Sequence, residues 1–183
     1  PWDLISKLQG MYGVFQNNNF LRSHTLKVDS ARTKFLESPP PEPMETVLAT
    51  CTFGKSSPQI FESQLYAGLP KLLDRAYYCL SLEAVGDEEG QKARVQGFVD
   101  VIARHQPKEV ICYDDACYYI LAYRAPEYGV SVPFRPVHLF EHLLKTLRSN
   151  QHKIKPLNMK IAYQRPCSSR STPWKEPLLD DLL

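Results

Sequence analysis

Five cysteines carry the chemistry that this sequence advertises most plainly: Cys51, Cys79, Cys112, Cys117 and Cys167. Thiolates are soft ligands that suit iron–sulfur clusters or zinc. The stretches between them run 27, 32, 4 and 49 residues. Zinc sites usually carry a tight Cys-x2-Cys knuckle, and this chain has none. An odd count without a close framework does not suggest a secreted disulfide scaffold. Reduced thiols in a cytoplasmic chain fit better, which directs attention to metal binding or catalysis. Taken singly, each cysteine is equally a small apolar core residue.

The elements that would have to position these thiols can be read from periodicity. Thr46 to Thr50 reads as a buried strand ending at Cys51, and Gln59 to Leu73 as a helix that Pro70 would bend. Ala76 to Leu80 reads as a second strand. Asp87 would cap a helix running to about His105, with Val95, Phe98, Val99 and Ile102 on its apolar side. Lys108 to Cys112 gives a third strand, Ala116 to Arg124 a helix closed by Pro126, Val137 to Leu147 a further helix, and Met159 to Tyr163 a fourth strand. Strands alternating with helices predict an α/β domain of three layers with a mainly parallel sheet. Residues 1–44 read as an irregular extension: a short amphipathic helix on Trp2, Leu4, Ile5, Leu8 and Met11, an Asn17-Asn18-Asn19 loop, little periodicity beyond it, and the Pro39-Pro40-Pro41-Glu42-Pro43 linker.

On that sketch the cysteines fall at strand ends and at the start of a helix. All strand C-termini of a parallel sheet lie along one edge, where open α/β sheets bind ligands. Residues more than a hundred positions apart would therefore meet on one rim. Nearby helix N-termini favour anions there, including a cluster held by thiolates.

Length and composition set the outer limits. The chain has 183 residues, 43% of them apolar and 23% charged, enough for one domain with an extension. Lys and Arg total 22 against 20 for Asp and Glu, a mixed balance of +2 that does not suit nucleic acid. No apolar run reaches the length of a membrane span and no signal-peptide pattern opens the chain, so no membrane insertion is expected. A start at Pro1 reads as a processed or trimmed piece.

Four stretches add a resemblance. Cys117-Tyr118-Tyr119 is followed by Pro126-Glu127-Tyr128-Gly129-Val130 and then by Val137-His138-Leu139-Phe140-Glu141-His142-Leu143-Leu144. Ile161 to Arg170, with Arg165-Pro166-Cys167-Ser168-Ser169-Arg170, is similar to a "Y-H-D-P-C-x-x-R" segment. In this order the stretches resemble the cysteine-rich CCG domain of heterodisulfide reductase-type iron–sulfur proteins, over roughly Thr46 to Arg170. The resemblance implies an organisation of 1–44 as extension and linker, 45–158 as a CCG-like domain, and 159–183 as the truncated start of a second repeat.

The same resemblance implies a fragment or subunit of an iron–sulfur oxidoreductase that moves electrons to or from a disulfide or quinone-linked partner. Cys51, Cys79 and Cys117 would be cluster ligands, Cys112 an auxiliary one and Cys167 part of the second site; Asp114 could donate an oxygen. Partners would be other redox subunits, whether ferredoxin-like, flavoprotein or membrane cytochrome, and the location cytoplasmic, at the membrane only through a partner. The family's motif has a lone cysteine, a Cys-Cys-Gly and a Cys-x-x-Cys. Here Tyr78-Cys79 and Asp114-Asp115-Ala116-Cys117 keep one thiol each, and Gln164 and Arg165 replace a His-Asp pair. Four thiols could still hold an ordinary 4Fe–4S cluster, or the degenerate site could be empty. The alternative is a cluster-free scaffold that docks redox partners; a zinc-bound structural domain is a third reading.

Other constellations are weaker. His138 and His142 share a predicted helix face without an evident third ligand. Tyr113, Tyr118, Tyr119 and Tyr123 are core residues or a wall around a redox site. No phosphate-binding glycine motif and no serine-hydrolase elbow occur.

Overall fold

The computed structural model describes residues 2–14, 17–151, 155, 158–160, 162–164 and 172–182. Its first elements are two helices, α1 (Trp2–Met11) and α2 (Asn19–Glu37). The Asn18 side chain caps α2 by accepting from the Leu21 N–H at 3.0 Å, and the proline run after Ser38 prevents its continuation. The extension is therefore not irregular. Thr25, Val28 and Arg32 are buried, with Ala31 and Phe35 packed beside the core. Those positions follow a helical stripe, but two of the five side chains are polar, which hid the periodicity.

Four short parallel strands form the sheet: β1 (Thr46–Ala49), β2 (Lys71–Leu72), β3 (Glu109–Cys112) and β4 (Arg135–His138), in the order β2-β1-β3-β4. The register sets Leu72, Ala49, Cys112 and His138 in one row at the C-terminal edge. Side chains alternate between faces as the pleat requires. Val47, Ala49, Val110 and Cys112 enter one core; Leu48, Ile111 and Val137 enter the other.

The connecting segments supply both outer layers. After β1 come the short α3 (Phe53–Ser56) and two 3-10 turns, Pro58–Glu62 and Gln64–Tyr66. Helix α4 (Glu88–Ala103) begins at Asp87, whose side chain accepts from Gly90 N–H at 3.0 Å. After β3 follow α5 (Asp115–Tyr119), a π-helical turn over Ile120–Arg124 and α6 (Ala125–Glu127); β4 leads into α7 (Leu139–Ser149), and α8 (Glu176–Leu182) packs on α7. Phe98, Val99 and Ile102 of α4 share one core with Ala31 and Phe35 of α2 and with the π turn's Ile120 and Leu121. Phe53, Phe61, Tyr66, Leu139 and Leu143 cover the opposite face. The result is the three-layer α/β arrangement with a parallel sheet that the alternating pattern predicts.

Several expected elements are rearranged, each for a local reason. The helix expected over 59–73 is broken into turns, since Gly68 stands at a φ of 76° and Pro70 removes an N–H. Its last residues instead form β2. The strand expected over 76–80 is a 3-10 turn at Arg75–Tyr77 followed by irregular chain outside the sheet. Arg32 replaces the strand partner: its guanidinium donates to the carbonyls of Ala76 at 3.0 Å and Tyr78 at 2.5 Å. The helix expected from Val137 begins only at Leu139, because Val137 and His138 complete β4. Residues 159, 160, 162 and 163 are not strand, and β4 takes the place of the fourth strand expected there.

Candidate thiol site

The C-terminal end of β1 turns sharply. Thr50 donates its hydroxyl to the Leu72 carbonyl at 2.9 Å, and Cys51 follows with a φ of 51°. A left-handed, non-glycine residue costs about 1–2 kcal/mol, so the surrounding packing holds it there. From the other side, Arg32 fixes the carbonyls of Ala76 and Tyr78 just ahead of Cys79, and Leu80 is also left-handed at 51°. These two constraints bring the sulfurs of Cys51 and Cys79 to 3.7 Å.

The pair borders a cavity of about 360 Å³, whose lining includes His24, Tyr78, Leu80 and Asp114. Cys51 is 9% exposed and Cys79 5%. The thiol of Cys79, donating to Cys51, lowers the Cys51 pKa to about 7; burial opposes this, and backbone N–H groups of Cys79 and Thr52 assist. The same hydrogen bond, together with burial, pushes Cys79 upward. Asp114 accepts from the Ala116 N–H at 2.8 Å as the cap of α5, while burial raises its carboxyl above the usual range. His24 is held down by burial and then by Arg75 and Lys27, so it is neutral at pH 7.

Cys112 and Cys117 are 0% and 1% exposed, and neither lines the cavity. The Cys112 sulfur lies 3.7 Å from the Val110 carbonyl of its own strand. A hydrogen bond to Cys112 and then burial push the Cys117 thiol well up, so it stays protonated. Cys112 pairs in register with Ala49, two residues before Cys51, and Cys117 follows in α5, so with Cys79 beside Cys51 all four thiols lie at the C-terminal end of the sheet. Cys167 lies outside the described residues.

Among the described residues, no group of three or more His, Cys, Asp or Glu side chains is arranged to hold a metal ion. The cavity exposes two sulfurs and one carboxylate, while the other two thiols are sealed in the core. A 4Fe–4S cluster on four thiolates does not fit that arrangement, and neither does tetrahedral zinc.

Beside the thiols stands a polar group the sequence did not reveal. His138 Nδ1 accepts from the Phe140 N–H at 3.2 Å, so Nε2 carries the proton and donates to Asp115 at 2.7 Å. Lys175, 1% exposed, bonds the second oxygen of Asp115. Tyr118, Phe140 and Trp174 surround this group with aromatic rings. It ties β4, α5 and the turn before α8 together. The sequence signal was faint: an acidic pair after a strand, and a distant Pro173-Trp174-Lys175.

The remaining motifs do structural work. His138 caps α7, while the ring of His142 turns to the Leu65 carbonyl at 3.4 Å, so the two histidines do not form a ligand pair. Within Pro126-Glu127-Tyr128-Gly129, Glu127 pairs with Arg124 at 2.5 Å, Tyr128 donates to Glu83 at 2.7 Å, and Gly129 takes a φ of 76°. The four tyrosines do not wall the cavity: Tyr113 packs against Phe53 and Phe61 on the opposite face, Tyr118 and Tyr119 meet Tyr123 edge-on or tilted, and Tyr78 is the tyrosine that lines it. Comparison with protein-family models, curated proteins and solved structures finds no match to this chain. No helix among the described residues is long and apolar enough to cross a membrane.

Proposed function

We propose that the chain is a redox subunit of the heterodisulfide reductase type that works without a four-thiolate cluster, docking electron-transfer partners at its thiol-bearing rim. One observation carries this reading: four thiols from separate places in the chain collect at one sheet edge, yet only Cys51 and Cys79 open onto a cavity. A second feature supports the resemblance. In the alignment of Tyr78-Cys79-Leu80 with a Cys-Cys-Gly motif, Leu80 occupies the glycine position, and it has the positive φ that glycine favours. The partners this reading calls for are ferredoxin-like, flavoprotein or membrane-cytochrome subunits. Reduced thiols suit a cytoplasmic setting, with any membrane contact made through a partner.

The second reading keeps the iron–sulfur cluster: the convergence of Cys51, Cys79, Cys112 and Cys117 favours it, and it requires Cys112 and Cys117 to leave their core positions. Iron, acid-labile sulfide and zinc measured on anaerobically purified protein, with an EPR spectrum after reduction, separate the two. The cluster-free reading expects a folded protein with no stoichiometric metal or sulfide, even after reconstitution. Iron and sulfide in near-equal amounts, lost on Cys117→Ser, would overturn it in favour of the cluster.

A further inference from the structure

Resting on the cluster-free reading, we propose that Cys51 and Cys79 form a reversible dithiol–disulfide centre whose substrate is a disulfide admitted to the cavity they border. The sulfurs stand 3.7 Å apart, against about 2.0 Å in a disulfide, so a small movement of the two side chains closes the bond. They belong to segments held by separate constraints, the left-handed turn after β1 and the Arg32-bound chain before α4. Access distinguishes this pair from Cys112 and Cys117, which do not line the cavity.

The residues divide the work unequally. Cys51 is the more exposed of the two, which makes it the attacking thiolate. Cys79 lies deeper, 3.7 Å from the Cys51 sulfur, which makes it the resolving thiol. In the first step the Cys51 thiolate attacks one sulfur of the substrate disulfide. A mixed disulfide forms, the substrate S–S bond breaks, and the departing thiolate takes a proton from solvent. In the second step Cys79 loses its proton and attacks the Cys51 sulfur, expelling the second substrate thiolate. Asp114 lines the same cavity as both cysteines, which places its carboxylate to accept that proton. The protein dithiol is oxidised by two electrons and the substrate disulfide is reduced to two thiols. A partner that reverses the exchange restores the dithiol.

The test uses the full chain in a Cys167→Ser background, reduced, freed of reductant and then exposed to oxidised glutathione. Peptide mapping under non-reducing conditions should find Cys51 joined to Cys79, with Cys112 and Cys117 still free. Cys79→Ser should stop at one glutathionyl group on Cys51, and Cys51→Ser should acquire adducts at least about ten-fold more slowly. Asp114→Asn keeps the helix cap and should leave adduct formation intact while slowing its resolution. Cys79→Ala serves as a second trap if the serine variant loses its native circular dichroism. A folded chain that forms no Cys51–Cys79 bond, or whose adducts favour Cys79, would overturn the inference. Metal and sulfide assays on the same sample separate the two claims. Bound iron and sulfide, with the disulfide still forming after their removal, defeats only the cluster-free reading; a metal-free chain that forms no disulfide defeats only the dithiol.

Discussion

Cys51–Cys79 and Cys112–Cys117 are two pairs of the same residue at the same end of the sheet, and their surroundings set them apart. The first pair closes a long sequence separation and borders a cavity. The second links the end of β3 to the first turns of α5 within the apolar core. In the first, one thiol is lowered to about 7 by its neighbour; in the second, Cys117 is pushed well up. Proximity between sulfurs is thus common to both, and access to solvent separates a reactive thiol from a packing residue.

The contrast can be broken most severely at Arg32. Arg32→Met removes the donors to Ala76 and Tyr78 and to the Arg94 carbonyl, leaving buried acceptors unpaired. A loss of about 3–5 kcal/mol is expected in urea unfolding, with oxidation of Cys51 and Cys79 no longer favoured over other thiols. Chemical access gives the next largest effect. At pH 7.5 or so, iodoacetamide should label Cys51 roughly 100-fold faster than Cys117, as read by mass spectrometry of peptides. Cys112→Ser should cost about 1–3 kcal/mol in unfolding experiments by burying a hydroxyl in a fully enclosed strand position. Cys51→Ser, at the cavity, should cost under about 1 kcal/mol.

The finest discrimination is by pH. The alkylation rate of Cys51 should fall as pH drops through about 7, as its thiolate is protonated. Its folded value lies below the ordinary 9.0, so the unfolded chain binds the extra proton between these values. This group therefore adds stability as pH rises from about 7 to 9, and the contribution is lost as pH falls through 7. Cys79 and Cys117 are raised instead, and their contributions are lost as pH climbs above 9.0. An alkylation profile midpoint near 9 would show that Cys79 does not activate Cys51.

The interior strands and the capped helix were legible because their signals are local. Val47-Leu48-Ala49 and Val110-Ile111-Cys112 are compact apolar runs, and Asp87 precedes a well-patterned helix. The approach of Cys51 and Cys112 at one rim followed from placing those runs in a parallel sheet, whereas Cys79 arrives there on chain outside the sheet rather than on the strand expected over 76–80. What was not legible depends on distant partners. Ala76 to Leu80 has the composition of a strand, but its carbonyls are taken by an arginine 44 or 46 residues away. Arg32 itself lies in a stretch with little periodicity. The division of the cysteines into open and sealed pairs depends on that arm and on the cavity beneath α2, neither of which has a sequence signature.

The brevity of the sheet has a consequence for how the protein behaves among its own copies. A long, regular outer strand is a template for addition of strands from another chain. Here one border is β2, two residues long, and the other is β4, where Pro136 has no N–H to offer and Arg135 adds an exposed charge. Both borders are therefore poor seeds for sheet-to-sheet aggregation, and the molecule can keep a cluster of free thiols without the crowding that would bring those of different copies together.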